Sequence, residues 1–154
     1  MTDTGAVATS AAGTTRLRAF VQTVWCGGNL AELPRFVHPD VVVRAGTDGP
    51  CIRGLPAMAG AIRQAREPFD HYEMSLVEAV EQGSVVATRW TVRARLRDPG
   101  LLGEHLRALA GELTDLLWLG FGGMSFTTFR DGLIVQEQTE SNPATARAQL
   151  GLPG

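Results

Sequence analysis

The sequence predicts an α+β domain in which helices lie over the concave face of a cone-shaped, curved antiparallel sheet. Three observations carry this expectation. Apolar residues at helical spacing fill the first part of the chain, residues 86–96 alternate apolar and basic side chains, and Asp131 with Gly132 closes a hairpin near the end. A cone of this kind encloses a pocket between its helices and its sheet.

The 154 residues fit one domain, which at that size buries about two thirds of its unfolded surface without disulfides or metals. Residues 1–15 are mostly Ala, Thr, Gly and Ser and are expected to form a disordered tail, leaving residues 16–151 as a single domain. Leu17, Phe20, Val21 and Val24 mark an amphipathic first helix that ends at Gly27 and Gly28. Asn29 followed by Glu32 caps a second, short helix, which Pro34 and Pro39 cut off. A strand starts at Val41. Pro56 suits a first helical turn, and Leu55, Met58, Ala59 and Ile62 give that helix its apolar stripe.

From Tyr72 a strand carries Tyr72, Met74 and Leu76 on one face, and Gln82 with Gly83 turns it into the next. There Val86, Thr88, Trp90, Val92, Ala94 and Leu96 alternate with Arg89, Thr91, Arg93 and Arg95, so only one face can pack. Asp98, Pro99 and Gly100 break that strand. Leu102, Leu106, Leu109, Leu113 and Leu116 then recur at helical steps, which predicts an inserted helix or loop around residues 98–120, a lid or an oligomer contact. Gly120, Gly122 and Gly123 release the chain into the last hairpin, and Asn142 with Pro143 opens a terminal helix that ends at Gly151.

Composition excludes several functions. A net charge of −2 and a pI near 5.9 give no field for nucleic acid, and no run approaches a membrane span. Two cysteines and a start without a basic, apolar leader fit a cytoplasmic protein. His38, His71 and His105 are too far apart for a local metal motif, so no metal is assigned. No nucleophile elbow, phosphate loop or dinucleotide fingerprint is present.

The last strand is unusual because Gln136, Gln138, Glu140 and Asn142 share one face. Either that face meets water, with Met124, Phe126 and Val135 supplying the core, or it is the polar wall of a pocket.

The segments VWCGGNLAELPRFVHPDVVV, IRGLPAMAGAIRQ, VVATRWTVRARL, FTTFRDGLI and the final QLG resemble, in order and spacing, the SnoaL-like polyketide cyclases. The resemblance implies a closed apolar pocket that folds and cyclises a hydrophobic polyketide without a cofactor, in a homodimer. Aldol cyclases of the family use an aspartate on the last strand, but its place here, eight residues after Ile134 and seven before Gln149, holds Asn142. An amide cannot take a proton from carbon. The family's tryptophan four residues earlier is Gln138, and its Gly-Thr-His stretch reads Ala94, Arg95, Leu96.

The resemblance therefore implies ring closure of the [4+2] type in antibiotic biosynthesis, and a long loop at residues 98–107 suits family members that form an indane from a polyene. Catalytic roles fall to Glu140, Asn142 and Tyr72, with Gln138, Trp90, Val92, Met74, Leu76 and Phe129 contacting substrate. A second reading is aldol closure or double-bond isomerisation with Glu140 as base; a third is a binder of a hydrophobic intermediate. Arg89, Arg93 and Arg95 could face solvent, a second subunit or an acidic carrier protein.

Overall fold

The computed structural model describes residues 11–103, 117–141 and 148–151. One six-stranded sheet, ordered β2-β1-β6-β5-β4-β3, carries helices on its concave side. Its strands are β1 (Val37–Ala45), β2 (Cys51–Arg53), β3 (Phe69–Gln82), β4 (Val85–Leu96), β5 (Trp118–Arg130) and β6 (Leu133–Ser141). All neighbours are antiparallel except β1 and β6, which run parallel. That pair departs from the all-antiparallel expectation. It is possible because α2 (Leu55–Arg66), β3, β4 and β5 all lie between the two strands in sequence, and a parallel pair needs such a long crossover.

The first helix, α1 (Ala12–Phe20), starts earlier than the composition suggests. Glu81, at the far end of β3, accepts hydrogen bonds from Gly13 N, Thr14 N and Thr14 Oγ1. A carboxylate from a distant strand thus supplies the cap that residues before the helix do not. After Phe20 the helix continues as a π-helical turn, Val21–Cys26, and a 3₁₀ segment, Leu30–Arg35, follows. Leu17, Phe20, Val21 and Val24 from this arm, with Leu33, Met58 and Ile62, press on Val86, Trp90, Val92 and Ala94 of β4.

β4 follows its sequence pattern, with Val86, Thr88, Trp90, Val92, Ala94 and Leu96 all buried. The intervening arginines lie on the outer face, where Arg89 pairs with Glu78, Arg95 pairs with Asp70, and Arg93 sits 4.2 Å from the centroid of Trp118. Most of the predicted leucine-seam helix falls in residues 104–116, outside the described residues. At its ends, Leu102 and Leu119 join Leu96 in a second apolar cluster, and Trp118 already belongs to β5.

β5 runs against its own pattern. Ser125 and Thr127 are buried, whereas Met124 and Phe126 stand 60% and 58% exposed on the outer face. Opposite Trp90 on β5 stands Gly123, and the Trp90 ring occupies the space a side chain would need. A Cβ there would lie 2.2 Å from the Glu140 carbonyl oxygen and 2.5 Å from the ring. Gly123→Ala is therefore expected to destabilise the protein by ~1 to 3 kcal/mol through overpacking, read as a lower denaturant midpoint at unchanged slope.

Candidate functional site

A cavity of about 210 Å³ lies between the α1 arm and the inner face of β3, β4, β5 and β6. Its two walls differ in chemistry. Leu17, Phe20, Val21 and Trp25 from the helical arm, with Met74 and Leu76 of β3, form an apolar wall. Facing them is a hydroxyl-bearing wall of Thr88, Ser125, Thr127, Thr139 and Ser141, with one carboxylate, Glu137. The cavity reaches the surface beside Ala65 and Ser141, both exposed.

Glu137 enters because β6 carries an extra residue. Phe129 pairs with Ile134 but Thr128 pairs with Gln136, so Val135 is a bulge. Ile134 is fully buried. Strict alternation from it would turn Gln136, Gln138 and Glu140 inward, which is the face expected from sequence. One inserted residue reverses the parity and turns Glu137, Thr139 and Ser141 inward instead. Gln136 and Glu140 are exposed, and Gln138 is half-buried, donating from Nε2 to Gly46 O at 3.2 Å. The inward placement of Gln138 and Glu140 is thus corrected, and Asn142 lies outside the described residues.

Of the other residues expected at the site, Tyr72, Met74, Leu76 and Trp90 line the cavity. Val92 is core, packed between β3 and β5, and Phe129 packs against the core beyond the bulge, so neither lines it. Met124 and Phe126 do not form the core, because they stand on the outer face opposite Glu140 and Gln138, and Val135 is the bulged residue itself. Among the described residues no cluster of His, Cys, Asp and Glu is arranged to hold a metal.

Glu137 lines the cavity half-buried, and among the described residues neither a hydrogen bond nor an ion pair holds its carboxyl. Removal from water raises its pKa from the ordinary 4.5 to about 7. Near neutral pH it is therefore close to half ionised, the condition in which one group serves as both acid and base. Tyr72 moves in the opposite functional direction. Burial pushes its hydroxyl up to about 12 despite the nearby Arg66, so it stays a donor.

Trp90 is held by a polar chain. Its Nε1 donates to Ser125 Oγ at 2.9 Å, and Ser125 Oγ donates to Thr139 Oγ1 at 2.9 Å. Thr139 Oγ1 in turn lies 3.4 Å from Met124 O. The indole stands edge-on to Phe121, with centroids 6.5 Å apart. At the mouth, Trp25 stacks on Tyr72 at 6.1 Å, and Arg66 Nη1 donates to the carbonyl oxygens of Trp25 and Cys26. Those carbonyls end the π-helical turn, a rare element often found beside functional sites.

Glu137 was missed because nothing local distinguishes it from Gln136 and Gln138. The only signal is cross-strand: Thr127 faces inward and pairs with Glu137.

A family model described as a SnoaL-like domain matches residues 17–137. Among solved structures, TsrD from Streptomyces laurentii superposes with a TM-score of 0.71 at 20% identity, covering 94% of this chain and 98% of that one. A candidate polyketide cyclase from Acidithiobacillus ferrooxidans gives 0.74 at 15% identity, covering 93% and 96%. IdmH from Streptomyces antibioticus, also described as a candidate polyketide cyclase, gives 0.68 at 20% identity, covering 91% and 99%. At these identities the likeness is one of fold. No match was found among curated proteins.

Since the folded carboxyl binds its proton more tightly than the unfolded one, stability falls as pH rises from about 4.5 to about 7 and is level above. Glu137→Gln removes that slope. Its stability gain over the parent protein should be about 2 to 3 kcal/mol larger at pH 8 than at pH 5, measured by denaturant titration at both. Equal gains would show that the carboxyl titrates normally.

Proposed function

The chain belongs to the SnoaL-like domain family, and from that premise we propose that it is a cofactor-independent cyclase or double-bond isomerase that moves a proton on an apolar, unsaturated polyketide. The observation that carries this reading is the unpaired Glu137 carboxyl, with a pKa of about 7, in the hydroxyl-lined wall of an otherwise apolar cavity. Glu137 takes the role that the sequence suggested for Glu140.

In the ionised form Glu137 removes a proton from carbon next to a substrate carbonyl, giving an enolate and a neutral carboxylic acid. Tyr72, a neutral hydroxyl on the same cavity, offers a hydrogen bond to the enolate oxygen. The enolate carbon then attacks a second carbonyl and closes a ring, the alkoxide taking the proton back. Alternatively, Glu137 returns the proton to a more distant carbon and the double bond moves. No electrons leave the substrate in either route.

Ring closure of the [4+2] type, including indane formation, is the finer alternative. It asks only that the cavity hold two ends of a chain together. The cavity limits it, since about 210 Å³ is only modestly larger than the roughly 150 Å³ that accepts benzene. Homodimer formation belongs to the same proposal, with exposed Val80, Met124 and Phe126 on the outer face as its contact.

Exchange of the α-protons of 2-tetralone in deuterated buffer, followed by NMR, tests the reading. The parent protein should accelerate exchange with a rate that rises through an apparent pKa near 7, and Glu137→Gln should lower it by ~10² to 10⁴-fold. Binding without acceleration would leave a shape-driven cyclase or a passive binder, and a loss of only a few-fold would remove Glu137 as the base.

A further inference from the structure

Beside the cavity mouth, on the far side of Tyr72, an open cleft of about 460 Å³ is lined by Arg63, Arg66 and Arg97 with Gly28, Leu30, Glu67 and Phe69. Three arginines line one cleft in a protein whose net charge is −2. Among the described residues none of the three forms an ion pair. Arg97 donates from Nη2 to Phe69 O at 3.2 Å, and Arg66 is fixed by the carbonyl oxygens of Trp25 and Cys26. Glu67 is the one carboxylate among the described residues of the lining. Asp70, which feels Arg97, is already bound by Arg95 through contacts of 2.8 and 3.2 Å.

The cleft and the cavity share a wall. Arg66 Cζ lies 5.5 Å from the Tyr72 ring centroid and the Phe69 ring 5.8 Å from it, while Tyr72 and Trp25 line the cavity from the other side. Ala65, next to Arg66 in α2, is both exposed and part of the cavity lining, so one edge of the mouth adjoins the segment that carries Arg63 and Arg66. The enclosed volume holds a single ring or a small fused pair, and the rest of a longer substrate leaves by the mouth that Ala65 borders.

We propose that Arg63, Arg66 and Arg97 form a second subsite for an anionic group, carboxylate or phosphate, at the tail of the substrate whose apolar head fills the cavity. Guanidinium groups suit both anions, because their planar donors match two oxygens at once. A free acid would supply a carboxylate and a phosphorylated thioester arm would supply a phosphate. This inference rests on the cavity being the substrate site; it is independent of which chemistry Glu137 performs.

Calorimetric titration with 3-phenylpropyl phosphate, 4-phenylbutyrate and 3-phenylpropanol tests it at low salt. At least one anion should bind tenfold or more tightly than the alcohol, and which of the two does so separates the sources. In the Arg63→Ala/Arg97→Ala variant that advantage should fall below twofold while the alcohol binds as before, and 0.5 M salt should reduce it in the parent protein. Equal binding of all three probes, or an advantage that survives the double substitution, overturns the subsite and leaves the cavity as a ligand site. If no probe binds, the cleft falls as a subsite, and the effect of Glu137→Gln on 2-tetralone exchange alone decides the cavity.

Discussion

The arrangement of the site depends on one inserted residue. Val135 has no partner of its own on β5, and that single bulge decides which side chains of β6 enter the cavity. Below it Ile134 is fully buried, hydrogen-bonded through its backbone N to Phe36 O. Above it Glu137, Thr139 and Ser141 take the inner face. The partner strand on the other side bends at the same level. Val37 pairs with Ile134 and Val42 with Gln136, so β1 makes an excursion around Pro39, a residue that fits in a sheet only at such irregular places. Two irregular strands side by side fix the parity from both edges, and a slip of one residue in either direction would put a glutamine amide where the carboxyl stands.

The hydroxyl wall follows from that parity and in turn positions the apolar one. Ser125 and Thr139 are cross-strand partners on the inner face, close enough to bond, and Trp90 donates into the pair from β4. The indole can reach Ser125 only by lying over the backbone opposite, which is why that position has no side chain. Trp90 then closes one end of the cavity against Phe121. A bulky aromatic group is held by hydrogen bonds here rather than by packing alone, and its donor is spent, so it offers substrate a flat apolar surface and no polar reach.

How much of this was legible depended on how local the cause was. β4 could be read from its own residues, because strict alternation between Val86 and Leu96 needs no knowledge of neighbours. So could α2, from its stripe and Pro56, and the last turn, where Asp131 and Gly132 take φ values of 51° and 75°. The start of α1 could not, since Glu81 caps it from the other end of β3. Glu137 was hidden for a deeper reason. The hydrophobic pattern of β5 points Met124 and Phe126 inward, and the pattern of β6 places Glu140 with Ile134; both inferences assume an unbroken pleat and an apolar interior. Neither assumption holds where a strand is bulged and the interior is a partly polar cavity.

A carboxyl in that cavity costs stability at neutral pH, about 1.4 kcal/mol for each unit its pKa is raised. The fold could avoid the cost with glutamine, which occupies the positions on either side, Gln136 and Gln138. It could also relieve it with a cation, and arginines are plentiful, yet each described one is placed elsewhere: on β1 or β2, on the outer face of β4, at the end of β5, around the mouth, or along α1 and the 3₁₀ segment after it. Arg66, beside the cavity-lining Tyr72, is anchored to the backbone of the π-helical turn rather than to any carboxylate. Keeping positive charge at the mouth and out of the interior leaves Glu137 its high proton affinity while still presenting cations to whatever part of a ligand remains outside. The same separation keeps the Tyr72 hydroxyl protonated, since burial outweighs the pull of Arg66. Neutral donor, half-ionised acid and external cations are thus three consequences of one layout, in which distance from water sets the protonation of each group.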